Sequence, residues 1–171
     1  ETVFNMIPES VLKRESMEAR GSVKMEGDVK GWYGKQQMPA VTLKVQIDKA
    51  SAKYDKLPYG IDNFTADFYA FVDLMRKQPS YADLKIFHFQ GAHTDILADA
   101  KIVNLLEDPD ITFNTKSKVD LTALAQAFPL QEGVTIGGDL EADLRLKCRL
   151  FSIKKQDLGR IRLGGKLKMT N

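Results

Sequence analysis

With 171 residues and 43% apolar composition, the chain is the size of one compact domain and can bury a core, which excludes a disordered or low-complexity segment. Its 25 basic and 23 acidic residues leave a formal charge of +2 and are interspersed along the sequence. That distribution argues against a nucleic-acid binder, which gathers Lys and Arg on one face to neutralise phosphates. No run of about 18 apolar residues occurs, so no membrane-spanning helix is expected within the chain.

From about Pro8 to Glu18 the pattern predicts a short helix, with Pro8 suited to a first helical turn. Period-two alternation then takes over, and it places successive side chains on opposite faces of a strand. Strands are expected from Gly21 to Trp32, Val41 to Asp48, Ser51 to Lys56, Asp62 to Val72, Leu84 to Gln90, Ile96 to Val103 and Ile111 to Val119. Asp120 is placed to cap a second short helix, in which Leu121, Leu124, Ala125 and Phe128 keep helical spacing until Pro129 ends it. The longest alternation runs from Val134 to Leu150, with apolar residues from Ile136 to Cys148 on one face and Asp139, Glu141, Asp143, Arg145, Lys147 and Arg149 on the other. At about 3.3 Å per residue it would reach roughly 55 Å, so a bend is expected, with a bulge at Gly137 and Gly138. A last strand is expected from Gly159 to Met169. The sum is roughly nine strands. The fold class expected is mostly β: a single domain over 1–171, with a curved, largely antiparallel sheet, either an open groove or sandwich-like, and two short helices.

Phe64 to Ala70 and Leu140 to Leu146 share a pattern that includes an Ala-Asp pair. Both a repeated β unit and coincidence between two amphipathic strands explain it.

Catalytic chemistry finds little support. The two histidines, His88 and His93, lack partners at metal-ligand spacings and are expected to be ordinary strand and turn residues. The lone Cys148 cannot form an internal disulfide and is expected to be inert core. Asp139, Glu141 and Asp143 could suggest a glycosidase pair, but their continuation into basic residues on the same face predicts a solvated surface with cross-strand ion pairs. Glu107 to Asp110 lacks the spacing of a calcium loop and is expected to be a turn. Lys154, Lys155, Arg160, Arg162, Lys166 and Lys168 are expected on a solvated strand face rather than at a phosphate site. Phosphate-cradling glycine loops and a GxSxG serine are absent from the sequence. The chain is expected to be no enzyme and to need no cofactor or metal.

Phe64, Phe68, Phe71, Phe87 and Phe89 cluster on strands expected to be neighbours. They suit either a core or a lipid-contacting wall, since an acyl chain gains about 0.8 kcal/mol per buried methylene and needs only continuous apolar surface. Phe64, Phe68, Phe87, Phe89, Leu140, Leu144 and Leu146 are the residues expected to touch lipid.

The stretches Met38 to Val45, Lys53 to Pro58, Ile61 to Phe64, Asn104 to Ile111, Lys118 to Leu124, Phe128 to Leu130 and Ile136 to Leu144, in this order and spacing, resemble AsmA-like proteins of the Bacteroides type. The likeness extends from about Pro8 to Lys168. The resemblance, which extends to TamB and other bridge-like lipid-transport proteins, implies a periplasmic protein anchored to the inner membrane, with a long curved sheet that serves outer-membrane biogenesis and phospholipid transport. It supplies no catalytic residues. The chain opens without an initiator Met and lacks the family's membrane helix, so it is expected to be a fragment of a longer membrane-anchored protein. The partner expected is phospholipid or another acyl-chain lipid, with no nucleic acid. The alternative is a structural domain that engages envelope proteins through exposed strand edges. A solvent-accessible apolar trough would favour the first, and a closed core with a free edge the second.

Overall fold

In the computed structural model, residues 17–34, 37–54, 58–127, 136–151 and 161–170 are described. Alternating sequences joined by short connections favour sequential hairpins. The strands obey: β1 (Met17–Lys30), β2 (Ala40–Tyr54), β3 (Ile61–Asp73), β4 (Tyr81–Gly91), β5 (Thr94–Val103), β6 (Asp110–Asp120), β7 (Asp139–Arg149) and β8 (Arg162–Thr170) pair antiparallel in chain order. They form one open sheet with β1 and β8 at its edges. Of the two arrangements expected, an open groove and a sandwich, the described strands form the open one, a single sheet that does not close. Adjacent strands of a sheet ordinarily twist by about 20–25°, and seven pairings of that ordinary twist would sum to roughly 150°. Among the described residues, no helix is long and apolar enough to cross a membrane.

Several expectations are corrected in detail. Eight strands stand where roughly nine were expected, because the Ser51 segment continues β2 instead of forming its own strand. Lys49, at a φ of 47°, and the register shifts around Ala50 bend β2 without ending it. The Lys49 amide donates to Thr65 Oγ1 (3.3 Å), which keeps the bent strand attached to β3. The expected first helix lies outside the described residues except for Met17 and Glu18, which open β1. Gly137 and Gly138 do not bulge a long strand. They precede β7, where the Gly138 carbonyl accepts the Leu121 amide (2.9 Å) and the Gly138 amide donates to Thr122 Oγ1 (3.4 Å). The long alternation is thus part connection and part strand. Register shifts instead interrupt the pairings from β1 to β5, whereas those from β5 to β8 are regular.

The β4–β5 hairpin turns through Ala92 and His93, whose φ values of 50° and 54° are those of a two-residue type I′ loop. Such loops favour Asn-Gly, and Ala92 is instead explained by packing. It is buried against Ala123 of helix α1 (Leu121–Ala127), with Tyr59 packed on both. The helix packs at this end of the sheet on Ala123, at 2% exposure, and not on the Leu121 and Leu124 stripe. Phe128 and Pro129 lie outside the described residues.

Asp120 caps α1 as expected, its Oδ1 accepting the Ala123 amide at 2.9 Å, while Oδ2 lies 3.3 Å from His93 Nδ1. The Ala123 amide foremost, and then His93, hold the Asp120 carboxyl below its ordinary value of 3.8. A carboxyl with a depressed folded value contributes stability that is complete above the unfolded value and lost as pH falls through the folded one. Asp120→Asn keeps a capping oxygen and removes the titration. Its acid-unfolding curve, followed by circular dichroism, should lose the component below pH 3.8 that the parent shows. Superimposable curves for parent and variant would refute the assignment.

The acidic turn after β5 serves structure, as expected. Asp108 Oδ1 accepts the Phe151 amide (3.0 Å) and Asp110 Oδ1 accepts Arg149 Nε (2.9 Å). Asp73 plays a similar part after β3, its carboxylate receiving the amides of Met75, Lys77 and Gln78.

Candidate functional site

Pairing register decides which side chains share a face. One cross-strand row runs Met25, Val45, Phe68, Leu84, Ala100, Phe113, Leu146 and Leu163, one residue from each strand and all apolar. The next runs Val23, Ile47, Ala66, Phe87, Ala98, Thr115, Leu144 and Gly165. Thr115 breaks the apolar sequence, but its hydroxyl donates to the Leu97 carbonyl (3.1 Å) and is satisfied. Phe64 stands opposite Phe89, and Leu140 lies between Val119 and Met169. All seven residues singled out from the sequence therefore lie on one face. Phe64 and Phe87 meet edge to face, centroids 5.4 Å apart at 72°, a favoured aromatic geometry.

Phe71 is the exception in the aromatic cluster. It pairs with Tyr81 on the opposite face, where Tyr81 also stacks on Tyr69 at 5.7 Å. Phe68 and Phe71 differ by an odd number of positions, which sends them to opposite sides of a strand.

This apolar face has no second layer among the described residues. The buried apolar side chains are small: Ala66, Ala92, Ala123 and Cys148, the last at 4% exposure. Cys148 is free and buried, as expected. The Phe and Leu residues of the central strands are half-buried, shielded only by neighbours in the same layer, whereas Met25 at 60% and Leu167 at 65% stand open near the edges. Domains are ordinarily built of two or more packed layers, and among the described residues this sheet has one. Sequence reasoning missed Met25, Val45, Leu84 and Phe113, which complete the rows. Their alternation was visible, but the register that aligns them with Phe68 and Leu146 was not.

The other face is polar and knitted by the ion pairs expected there: Lys118–Glu141 at 3.5 Å and Lys116–Asp143 at 3.9 Å. A depression of about 540 Å³ lies among these side chains and Lys166 and Lys168. Its walls are exposed, opposed charges on flexible stems, so it is a gap between solvated side chains and not a shaped cavity. The same face carries His88, whose Nε2 is 3.1 Å from Asp95 Oδ1, while Gln90 Nε2 donates to Asp95 Oδ2 (2.9 Å). His93 sits at the end of the sheet against Asp120 and edge-on to Tyr59, centroids 5.3 Å apart. The two histidines thus belong to separate carboxylate pairs. No group of three or more metal-ligating side chains occurs among the described residues. Of the basic C-terminal run, Arg162, Lys166 and Lys168 are exposed on β8, and Lys154, Lys155 and Arg160 lie outside the described residues.

Comparison of the chain with family models, with curated proteins and with solved structures finds no match, so a functional argument rests on the residues and the sheet described above.

Proposed function

We propose that the uncovered apolar face contacts lipid, and that the chain is a non-catalytic segment of an AsmA-like periplasmic β groove serving outer-membrane biogenesis and phospholipid transport. In the full-length protein the groove is anchored to the inner membrane. The observation that carries this reading is the apolar row that crosses eight strands with no layer packed over it among the described residues. At about 4.8 Å per strand, seven steps span roughly 34 Å. An extended acyl tail covers about half of the roughly 30 Å bilayer core and fits along such a row. Acyl chains are bound by continuous apolar area, without hydrogen-bonding groups, so a site of this kind is made of Phe, Leu, Val and Ala alone.

Native mass spectrometry after mild extraction tests it. The parent should carry co-purifying phospholipid, Phe68→Glu and Leu146→Glu should lose at least about nine-tenths of it, and Arg145→Ala should retain it. A lipid-free parent, or retention by both Glu variants, would sink the proposal. Engagement of envelope proteins through strand edges remains the second reading, and it draws on one observation, the full exposure of β8.

A further inference from the structure

Among the described residues no strand pairs on the outer side of β1 or β8, so each edge offers a row of backbone donors and acceptors, the arrangement that adds strands from other chains. Their side chains restrict which strand can be added. On its polar face β8 carries Arg162, Lys166 and Lys168 and no acid. Glu141 and Asp143 of β7 oppose Lys168 and Lys166, but they are already engaged from the other side by Lys118 and Lys116. The edge therefore keeps surplus positive charge, which disfavours pairing with itself and suits a strand that brings carboxylates.

Such a strand exists in the molecule. The polar face of β1 carries Glu18, Glu26 and Asp28 interspersed with Arg20, Lys24 and Lys30. In an antiparallel meander of eight strands, the first and last run in opposite directions, so β1 of another copy placed beside β8 continues the antiparallel pattern. Faces match only if polar positions oppose polar ones. Of the registers that satisfy this, one alone sets two pairs of opposite charge and no like pair: Lys166 opposite Asp28, and Lys168 opposite Glu26. A slip of two residues either way sets Lys168 against Lys24 or Lys166 against Lys30. In the favoured register the apolar face is also complementary in size, with Leu167 opposite Gly27 and Gly165 opposite Val29. Asp28 already pairs with Lys30 at 3.0 Å within β1, and that exposed pair would be shared with Lys166.

We infer that β8 docks the β1 edge of a second copy of this chain, head to tail, extending one sheet with its apolar face continuous across the junction. The inference does not depend on what the apolar face binds, and it concerns the edges of the 171-residue chain itself and not those of the longer groove proposed above. Association of this type is open-ended and not closed into a dimer. A single strand edge buries less than the about 1,000 Å² of a stable interface, so sedimentation velocity from about 10 μM to about 1 mM is the suitable range.

The 171-residue chain should show a mass that rises with concentration past the dimer and falls with added salt. Lys166→Glu with Lys168→Glu, and separately Glu26→Lys with Asp28→Lys, should each weaken association by about tenfold or more; because Lys168 and Lys166 also oppose Glu141 and Asp143, and Glu26 opposes Lys44, circular dichroism of each variant checks that its edge strand stays folded. An equimolar mixture of the two variants should restore it, because every junction between one variant and the other regains opposite charges. A parent that stays monomeric at the top concentration, charge reversal without effect, or a mixture that fails to reassociate would each overturn the inference.

Discussion

Leu144→Asp should lower the unfolding free energy by about 2–3 kcal/mol, while Arg145→Asp, one residue further on, should change it by about 0.5 kcal/mol or less. Leu144 lies on the apolar face between Thr115 and Gly165, with Ala142 and Leu146 beside it along β7, and is half-buried. No cationic side chain opposes it there. A carboxylate at that position is partly desolvated without a counter-charge. The expected loss sits at the lower end for buried charges because the face has no second layer among the described residues and Leu144 is only half-buried. Arg145 is exposed on the other face, opposite Asn114 and Gly164. Urea denaturation of both variants beside the parent decides the matter. Equal losses would show that the register is wrong, whereas a stable Leu144→Asp protein stripped of phospholipid would place Leu144 in an open groove.

Gly21→Ala should be at least as damaging, costing about 3 kcal/mol. Gly21 sits at the irregularity between Arg20 and Ser22 with a φ of 134°, a conformation that side chains with a Cβ rarely adopt. A Cβ built there would lie 2.5 Å from the Ala50 Cα, so backbone and not a movable side chain would have to give way. That point is where the bent halves of β1 and β2 meet, and strain there should shorten their pairing. Gly27→Ala is the control in the same strand, since its nearest contact would be the Thr42 carbonyl oxygen at 3.9 Å. The control should stay within about 0.5 kcal/mol of the parent. Comparable losses for both glycines would mean that the bulge is not where the strain resides.

Legibility of the sheet followed the distance over which each signal acts. The alternation in Val41 to Ile47 and in Leu140 to Cys148 marked strands and their faces before any pairing was known, since it follows from covalent geometry within a few residues. The Asp120 cap was equally local: an acceptor three residues before a free amide. Ser51 to Lys56 reads as a strand separate from Val41 to Asp48, yet Lys49 takes a left-handed conformation and the chain continues in β2. Gly137 and Gly138 looked like a bulge because alternation runs through them, while hydrogen bonds to Leu121 and Thr122 tie them to the helix. In both places a contact distant in sequence overrode a local pattern.

The candidate site divides the same way. Membership of Phe64, Phe68, Phe87, Phe89, Leu140, Leu144 and Leu146 in one apolar set was visible from period two and from the assumption of antiparallel neighbours. Phe71 was grouped with them by proximity along the chain, although its odd offset from Phe68 sends it to the polar face beside Tyr81. By itself the sequence determined which residues alternate, where the chain turns and which side chains are apolar, because these depend on steric limits and solvation at each residue. Only the tertiary structure decided that the strands pair in chain order, that the rows align across all eight, and that the sheet stays open with no second layer among the described residues. Those outcomes depend on the summed twist, bulges and pairing energies of segments far apart along the chain, and no single segment carries them.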